Sequence, residues 1–327
     1  MSKIVQNVRA FRRRVLIGGA DLWVVVEGKN HDRAFYDQVL RASPSTRTLS
    51  VKVRLAEQLS VGGVVAGGKQ HALSLHDALE GMGALLQHNG VSDRAVAFML
   101  DRDNEDFLGT ANTKPHIIHT KTADVEAEIL THAKMMRAIA NAHGLSKGDV
   151  RRLSRVTAKP ASHLALVWRE WIVLRLVALE CSVENLAPTG APSIVNVATY
   201  GATDPVAVAL VENKLSAAVP AAQLTAARSK VTSWVDAAFA RGEEHELVKG
   251  KWVARYAEYL VAVHLTSVIM RAGLHADHIV IAALSALKYR SPMIDHYEAR
   301  LSRVFPSVLA PSVPASRRGP GKTGPAR

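Results

Sequence analysis

Residues 95–103 have the sequence AVAFMLDRD, in which six apolar residues precede two aspartates separated by one residue. An uninterrupted apolar run of this length is typical of a strand with both faces buried. Residues 22–28, with the sequence LWVVVEG, show the same pattern, and their apolar run ends in a glutamate and a glycine. The two stretches predict two buried strands that end in Glu27, Asp101 and Asp103.

The segments around these strands alternate between strand-like and helix-like patterns, which predicts a parallel, doubly wound, Rossmann-like α/β sheet. Further strands are expected at 48–55 and 116–120, and helices at about 32–41, 70–88, 124–142, 160–181, 217–241, 252–272 and 277–287. Beyond Gly144 only helical patterns are prominent, so an all-α C-terminal domain is expected. The expected regions are a basic N-terminal arm (1–20), an α/β domain (21–143), a helical domain (144–310) and a disordered basic tail (311–327).

Charge is concentrated at the two ends of the chain. The chain has 41 Lys and Arg against 29 Asp and Glu, a net charge of +12. Residues 1–14 and 311–327 hold nine of the basic residues and no acidic one, which leaves 32 basic against 29 acidic residues between them. This distribution argues against a broad basic face for duplex DNA, but the ends can still contact phosphates.

Composition excludes several classes of protein. The single cysteine, Cys181, excludes a disulfide framework and a zinc ribbon with several cysteines. No run of 18 apolar residues is present, so no membrane span is expected. The apolar residues after the N-terminal arginines are interrupted by Asp21, which is unlike a signal peptide. A cytoplasmic protein is therefore expected.

The acidic residues at the two strand ends suit a divalent cation. Ligands of open α/β sheets bind beyond the carboxyl ends of the strands, and Mg²⁺ prefers a few carboxylates together with water and phosphate oxygens. The alternative is structural, because an aspartate after a strand often caps a turn or the next helix. Two strands with acidic ends favour the metal site over a cap.

The pair of motifs resembles the TOPRIM domain of topoisomerases, bacterial primases and several nucleases. Within these proteins the chain is most similar to the standalone TOPRIM effectors of PARIS-type anti-phage defence systems, over most of residues 20–300. Glu27, Asp101 and Asp103 match the TOPRIM motifs directly. The weaker matches are a glycine–lysine element (Gly67, Gly68, Lys69), a helix start (Asp124, Val125, Glu126) and the stretch 244–251.

The resemblance implies a Mg²⁺-dependent (or Mn²⁺-dependent) nuclease, a hydrolase that cleaves DNA or RNA. It implies that catalysis depends on Glu27, Asp101, Asp103 and Lys69, and that the metal is held by Glu27, Asp101, Asp103, Asp32, Asp124 and Glu126. Substrate contacts are expected from Gly67, Gly68, Lys69 and Lys29, and an ABC-type ATPase is expected as a partner in trans. The chain departs from the family at His31, where an aspartate is usual, so either Asp32 or His31 takes that place.

Three alternatives remain open at this stage. Lys69 and the acidic pair Asp124 and Glu126 also suit an ordinary helix start, where acidic side chains offset the helix dipole. Residues 63–70 have the spacing of a P-loop, but Gln70 replaces the Ser or Thr that binds Mg²⁺, so nucleotide binding is the weaker interpretation. Finally, the acidic site can be inert in a module that only docks an ATPase partner.

Overall fold

The computed structural model describes residues 5–28, 31–109, 111–183, 195–196, 201–265 and 276–304. The strands are β1 (Gln6–Asn7), β2 (Leu22–Val26), β3 (Val51–Leu55), β4 (Leu59–Ser60), β5 (Leu86–His88), β6 (Asp93–Leu100), β7 (Ile117–His119), β8 (Val195–Asn196) and β9 (Ala202–Thr203). The helices of the first half are α1 (Val8–Ile17), α2 (Asp32–Ala42), α3 (Lys69–Gly81), α4 (Glu105–Leu108), α5 (Val125–His132), α6 (Met135–His143) and α7 (Lys147–Val156). The second half contains α8 (Pro160–Val167), α9 (Arg169–Glu180), α10 (Pro205–Ala218), α11 (Ala221–Ala240), α12 (Gly250–His264), α13 (Ala276–Ala286) and α14 (Met293–Val304), with 3-10 turns at Ala56–Gln58 and Glu244–Leu247.

The fold is mixed α/β, and most strand pairs of its central sheet are parallel. Strand β2 lies between β3 and β6, and Val26 is opposite both Leu55 and Met99. On its other side β6 pairs with the antiparallel β5 near its start and with the parallel β7 near its end. The carboxyl ends of β2, β3, β6 and β7 therefore meet at one edge of the sheet, as the sequence pattern predicts.

Helices cover both faces of this sheet. Trp23, Val25 and Phe98 pack with residues of α1 and α3 on one face. Val24 and Met99 point to the opposite face and join a core that extends through α2 and α5 into the later helices. Alternate side chains of each strand are thus buried on opposite faces, which is why β2 and β6 read as continuous apolar runs.

The expected basic arm is folded over part of its length. Residues 8–17 form the amphipathic helix α1, in which Phe11 and Val15 are fully buried. Phe11 contacts the Trp23 ring edge-to-face at 5.4 Å. Arg9, Arg12 and Arg13 lie on the exposed face. The apolar residues of α1 pack against the sheet, and this tertiary contact orders the segment.

Some predicted helices are divided or end early. The helix expected at 70–88 ends at Gly81, and Gly83 has a positive φ of 60° in the turn that leads to β5. The helix expected at 124–142 is broken at Ala133 and Lys134, which gives α5 and α6. The helix expected at 160–181 is divided at Trp168. The sequence pattern does not predict helices α1, α4, α7, α10 and α14 or the short strands β1, β4, β5, β8 and β9.

A single buried cluster joins the sheet to the helices that follow it. It includes Val24 and Met99 from the sheet, Trp168 and Trp252 from the later helices, and Tyr297 from α14. No helix among the described residues is long and apolar enough to cross a membrane. Lys29 and the basic tail at 311–327 lie outside the described residues.

Candidate metal centre

Acidic side chains from two strands meet at the carboxyl edge of the sheet. Glu27 follows β2, and Asp101 and Asp103 follow β6. The backbone N–H of Asp101 points to Oε2 of Glu27 at 3.4 Å. The parallel register places the ends of β2 and β6 side by side, which brings these residues together from 74 positions apart.

The N-terminus of α5 completes this edge. Asp124 caps the helix, and its Oδ1 accepts the N–H of Ala127 at 2.7 Å. Oδ1 of Asp101 accepts the N–H of Val125, the first residue of the helix, at 3.1 Å. Two carboxylates thus share the positive end of one helix dipole, an arrangement that favours negative charge. The structural interpretation of Asp124 as a helix cap is therefore confirmed, and it coexists with a place in the acidic group.

Asp32 also faces the group, and Gly28 gives it room to do so. The backbone N–H of Gly28 donates to Oδ2 of Asp32 at 2.7 Å. A Cβ at residue 28 would lie 2.6 Å from the carboxylate, so the glycine after Glu27 is needed for this contact. His31 is buried beside Asp32, and its Nε2 makes no hydrogen bond within the described part of the chain. Asp32, rather than His31, bonds to the Glu-Gly turn.

Burial raises the pKa of five acidic groups at this edge. Burial is the main cause for Glu27, Asp32, Asp101 and Glu126, and neighbouring carboxylates raise the pKa of Asp101 further. Burial, with the charge of Glu126, raises the pKa of Asp124 to about 6. Carboxylates crowded in this way cannot all ionise without a compensating charge, and a divalent cation would supply it.

Two lysines supply part of that charge. Nζ of Lys249 lies 2.8 Å from Oδ1 of Asp103, and Nζ of Lys69 lies 3.4 Å from Oδ2. Burial alone would raise the pKa of Asp103, but the two ammonium groups lower it below its ordinary value. Asp103 also has a left-handed backbone, with φ of 54°. Asp103 thus already forms ion pairs with two ammonium groups.

The glycine–lysine element forms an exposed loop beside the acidic group. Residues 61–68 connect β4 to α3, and Gly68 precedes the helix with φ of 85°. Lys69 is the first residue of α3 and reaches Asp103, whereas Gly67 is exposed. The preceding strand β4 pairs with β1 in a separate two-stranded sheet. A P-loop follows a strand of the main sheet, so this loop differs from one in its position as well as in Gln70.

Lys249 and Gly250 were missed as site residues by the sequence analysis. The N–H of Gly250 donates to Oδ1 of Asp124 at 3.0 Å, so the first turn of α12 contacts the first turn of α5. A Cβ at residue 250 would lie 2.2 Å from the backbone nitrogen of Ala127, which requires glycine there. The stretch 244–251 had only a weak family likeness, and no local pattern pairs residue 250 with residue 124.

A second acidic group lies away from this edge. Among the described residues, His76, Asp77 and Glu80 are the one set of three possible ligand groups whose atoms all lie within 4.8 Å of one another. Nζ of Lys114 lies 3.3 Å from Asp77 and 2.5 Å from Glu80, so one ammonium group already pairs with both carboxylates of this set. The carboxylates at the sheet edge are spaced more widely, so a cation there needs side-chain movement or bridging water.

The residues at the edge nevertheless fit a hard divalent cation in type. Six carboxyl groups (Glu27, Asp32, Asp101, Asp103, Asp124 and Glu126) supply oxygen ligands, which Mg²⁺ and Mn²⁺ prefer. Burial gives each of these groups except Asp103 a raised pKa, so ionising them together without a cation costs free energy. All six acidic residues expected from the sequence therefore lie at or beside one edge, with Lys69. A scan against family models and a search of curated proteins found no match to this chain.

Proposed function

We propose that the protein is a metal-dependent nuclease of the TOPRIM type, which hydrolyses phosphodiester bonds in nucleic acid. The observation that carries the proposal is the meeting of Glu27, Asp101 and Asp103 at the carboxyl edge of a parallel sheet. Asp101 and Asp124 also share the N-terminus of α5, where negative charge is favoured. Structural caps alone do not require this many half-buried carboxylates at one edge.

Different residues of the site would bind the metal, transfer a proton and contact the phosphate. Glu27, Asp101 and Asp103 would hold Mg²⁺ or Mn²⁺, with Asp32, Asp124 and Glu126 beside them; the bound ion would neutralise charge on the phosphate and acidify a water. Burial raises the pKa of Glu27 above its ordinary value, which favours a role for this carboxyl group in proton transfer. Lys69, at the start of α3, would contact the phosphate once it leaves Asp103.

We extend this proposal to the biological role that the family likeness implies, an effector of anti-phage defence that acts with an ABC-type ATPase. The support is the chain order of the motifs, from Glu27 through Gly67–Lys69 and Asp101 to the stretch 244–251. A neighbouring gene for such an ATPase would support this role, and its absence from related genomes would count against it.

The test is cleavage of labelled DNA and RNA oligonucleotides by the purified chain with Mg²⁺, Mn²⁺ or EDTA. Cleavage should require the metal, and Glu27→Gln and Asp101→Asn should each lower the rate at least about 100-fold, or roughly 2.7 kcal/mol of activation free energy. Asp37→Asn is the matched control, since Asp37 lies on α2 in an exposed ion pair with Arg41. It should retain the full rate.

Three results would count against the nuclease proposal. Equal cleavage by wild type and both site variants would place the activity outside this edge or in a contaminant. Folded protein that binds Mn²⁺ but cleaves no nucleic acid, with or without its partner, would favour the inert docking module. ATP hydrolysis that Lys69→Met abolishes would favour the nucleotide-binding alternative instead.

A further inference from the structure

A wide groove lies at the end of α5 opposite the acidic edge. Its volume is about 970 Å³, and it is lined by the last residues of α5, parts of α6, α7 and α8, and the turn at Gly242–His245. Helix α5 has eight residues, so the groove lies on the order of 10 Å from Asp124 along the helix axis. The groove is therefore a separate site from the proposed metal centre.

The charged residues that line this basic groove all carry the same sign. They are Lys134, Arg137, Lys147, Arg151 and Lys159, with His245 at one side, and the lining contains no aspartate or glutamate. Glu244, next to the lining residue His245, is hydrogen-bonded to Ser162 and lies near Lys159. Five cations around one cavity repel one another, so an anionic ligand would lower the free energy of the arrangement.

These cations are not neutralised by ion pairs within the described residues. Neighbouring helices show the contrast: Arg228 pairs with Glu212 at 3.0 Å, and Lys230 pairs with Glu180 at 2.7 Å. Arg228 and Lys230 thus have acidic partners, whereas the five basic residues that line the groove form no such ion pair within the described residues.

Three helices begin at the groove. Lys134 precedes α6, Lys147 opens α7 and Lys159 precedes α8. Helix α8 has no side-chain cap on its first N–H groups. Ser146 caps α7, and at the start of α6 the N–H groups of Met135 and Arg137 donate to the carbonyls of Ala133 and Lys134. Free N–H groups at a helix start bind phosphate oxygens, and the helix dipole adds to the attraction.

The floor of the groove is apolar. It contains Met135, Met136, Leu145, Val150 and Pro160. The buried Oγ1 of Thr131, which also lines the groove, has no hydrogen-bond partner within the described residues. A simple inorganic anion would leave this floor uncovered, and a purely apolar ligand would leave the cations unmatched. The cavity is of the size that holds a drug-sized or nucleotide-sized molecule.

We propose that the basic groove binds a nucleoside phosphate, with its phosphates on the lysines and the start of α8 and its base on the apolar lining. This site is independent of the proposed nuclease activity. Nothing in its chemistry separates a free nucleotide from the phosphorylated end of a strand, so the experiment includes both.

The test measures binding to the full chain in EDTA, which removes any metal-bridged contact with the acidic edge. The probes are ATP, a 5′-phosphorylated trideoxyadenylate, tripolyphosphate and adenosine. ATP or the trinucleotide should bind at least tenfold more tightly than tripolyphosphate, and adenosine should not bind measurably. Tighter binding of ATP would indicate that the groove takes a free nucleotide, and tighter binding of the trinucleotide would indicate that it takes the phosphorylated end of a strand.

Single substitutions test whether the nucleoside phosphate binds in the basic groove. Lys147→Ala and Lys159→Ala should each weaken the tighter probe at least about tenfold, since each removes a charged contact to phosphate. Arg155→Ala, an exposed change on α7 outside the groove lining, should have no effect. Asp101→Asn should also leave binding unchanged, which separates this site from the metal centre. Equal binding of tripolyphosphate, or equal weakening by Arg155→Ala, would overturn the proposal.

Discussion

Two acidic groups in this protein differ in their surroundings. Asp77 and Glu80 lie on an exposed face of α3, close to each other and to the ammonium group of Lys114. Asp101 and Asp124 lie at the carboxyl edge of the sheet, where backbone N–H groups at the start of α5 are their partners. The first group has the shorter spacing between ligand atoms, and the second has the buried charge.

The difference shows which property marks a candidate active centre. Hydrogen bonding to His76 and Lys114 lowers the pKa of Asp77, so its charge is already satisfied. Burial raises the pKa of Asp124 to about 6, so its charge is held at a cost in free energy. A metal ion or a substrate can reduce this free-energy cost of buried charge. Close spacing of ligand atoms alone therefore does not mark a candidate active centre.

The largest expected effect is on the pH dependence of stability in EDTA. A pKa of about 6 in the folded protein is above the ordinary aspartate value, so the folded state favours the protonated form of Asp124. The stability that protonated Asp124 contributes is fully present below the ordinary aspartate pKa of 3.8 and is lost as pH rises through about 6, a change of up to roughly 3 kcal/mol. Urea unfolding of wild type and Asp124→Asn at several pH values measures it.

The control for this prediction is Asp77→Asn. The lowered pKa of Asp77 gives a contribution that is present above the ordinary aspartate pKa and lost as pH falls, which is the opposite sign. The free energy of unfolding of wild type minus that of Asp124→Asn should decrease from pH 4 to pH 7. A difference that is constant over this range would show that Asp124 has no raised pKa.

Gly250→Ala should destabilise the protein by about 1–3 kcal/mol, because the added Cβ would clash with the backbone at Glu126 and Ala127. The clash would separate α12 from α5 and break the Gly250 hydrogen bond to Asp124. Gly148→Ala is the matched control, since its Cβ would meet only Oγ of Ser146 at 3.6 Å. Thermal unfolding that ranks the two variants equally would contradict this packing.

Lys249→Met should have a smaller effect. It should strengthen Mn²⁺ binding and lower the stability of the fold. It removes a positive charge 2.8 Å from Oδ1 of Asp103, so Mn²⁺ should bind about three- to tenfold more tightly, or roughly 1 kcal/mol. Unfolding should become easier, because Asp103 loses a partner. Lys230→Met, which breaks a surface pair with Glu180, should leave Mn²⁺ affinity unchanged. Weaker Mn²⁺ binding in Lys249→Met would show that this lysine supports the metal ligands rather than competing with the metal.

The sequence predicted the strands and their acidic ends because each depends on a local pattern. The apolar runs of β2 and β6 reflect burial on both faces, and parallel pairing then places Glu27 beside Asp101. The start of α5 was also predicted, since Asp124 has the chemistry of a helix cap. These features account for the six carboxylates.

The remaining features depend on contacts between distant parts of the chain. Lys249 reaches Asp103 across 146 positions, and the basic groove joins the starts of three helices, so neither has a local signal. The break between α5 and α6 is another case, because the alanine- and methionine-rich sequence favours a continuous helix. Packing of α13 against α6 and of α12 against α5 holds the two short helices as separate elements.

The most direct test of the acidic edge as a metal centre is calorimetric titration of Mn²⁺ into metal-free protein at pH 7. Wild type and Asp77→Asn should bind with affinities within about twofold of each other, because Lys114 already pairs with both carboxylates of the surface group. Asp101→Asn should weaken binding at least about tenfold, or roughly 1.4 kcal/mol. Equal affinity in all three proteins, or loss of binding in Asp77→Asn alone, would contradict the assignment of the metal to Glu27, Asp101 and Asp103.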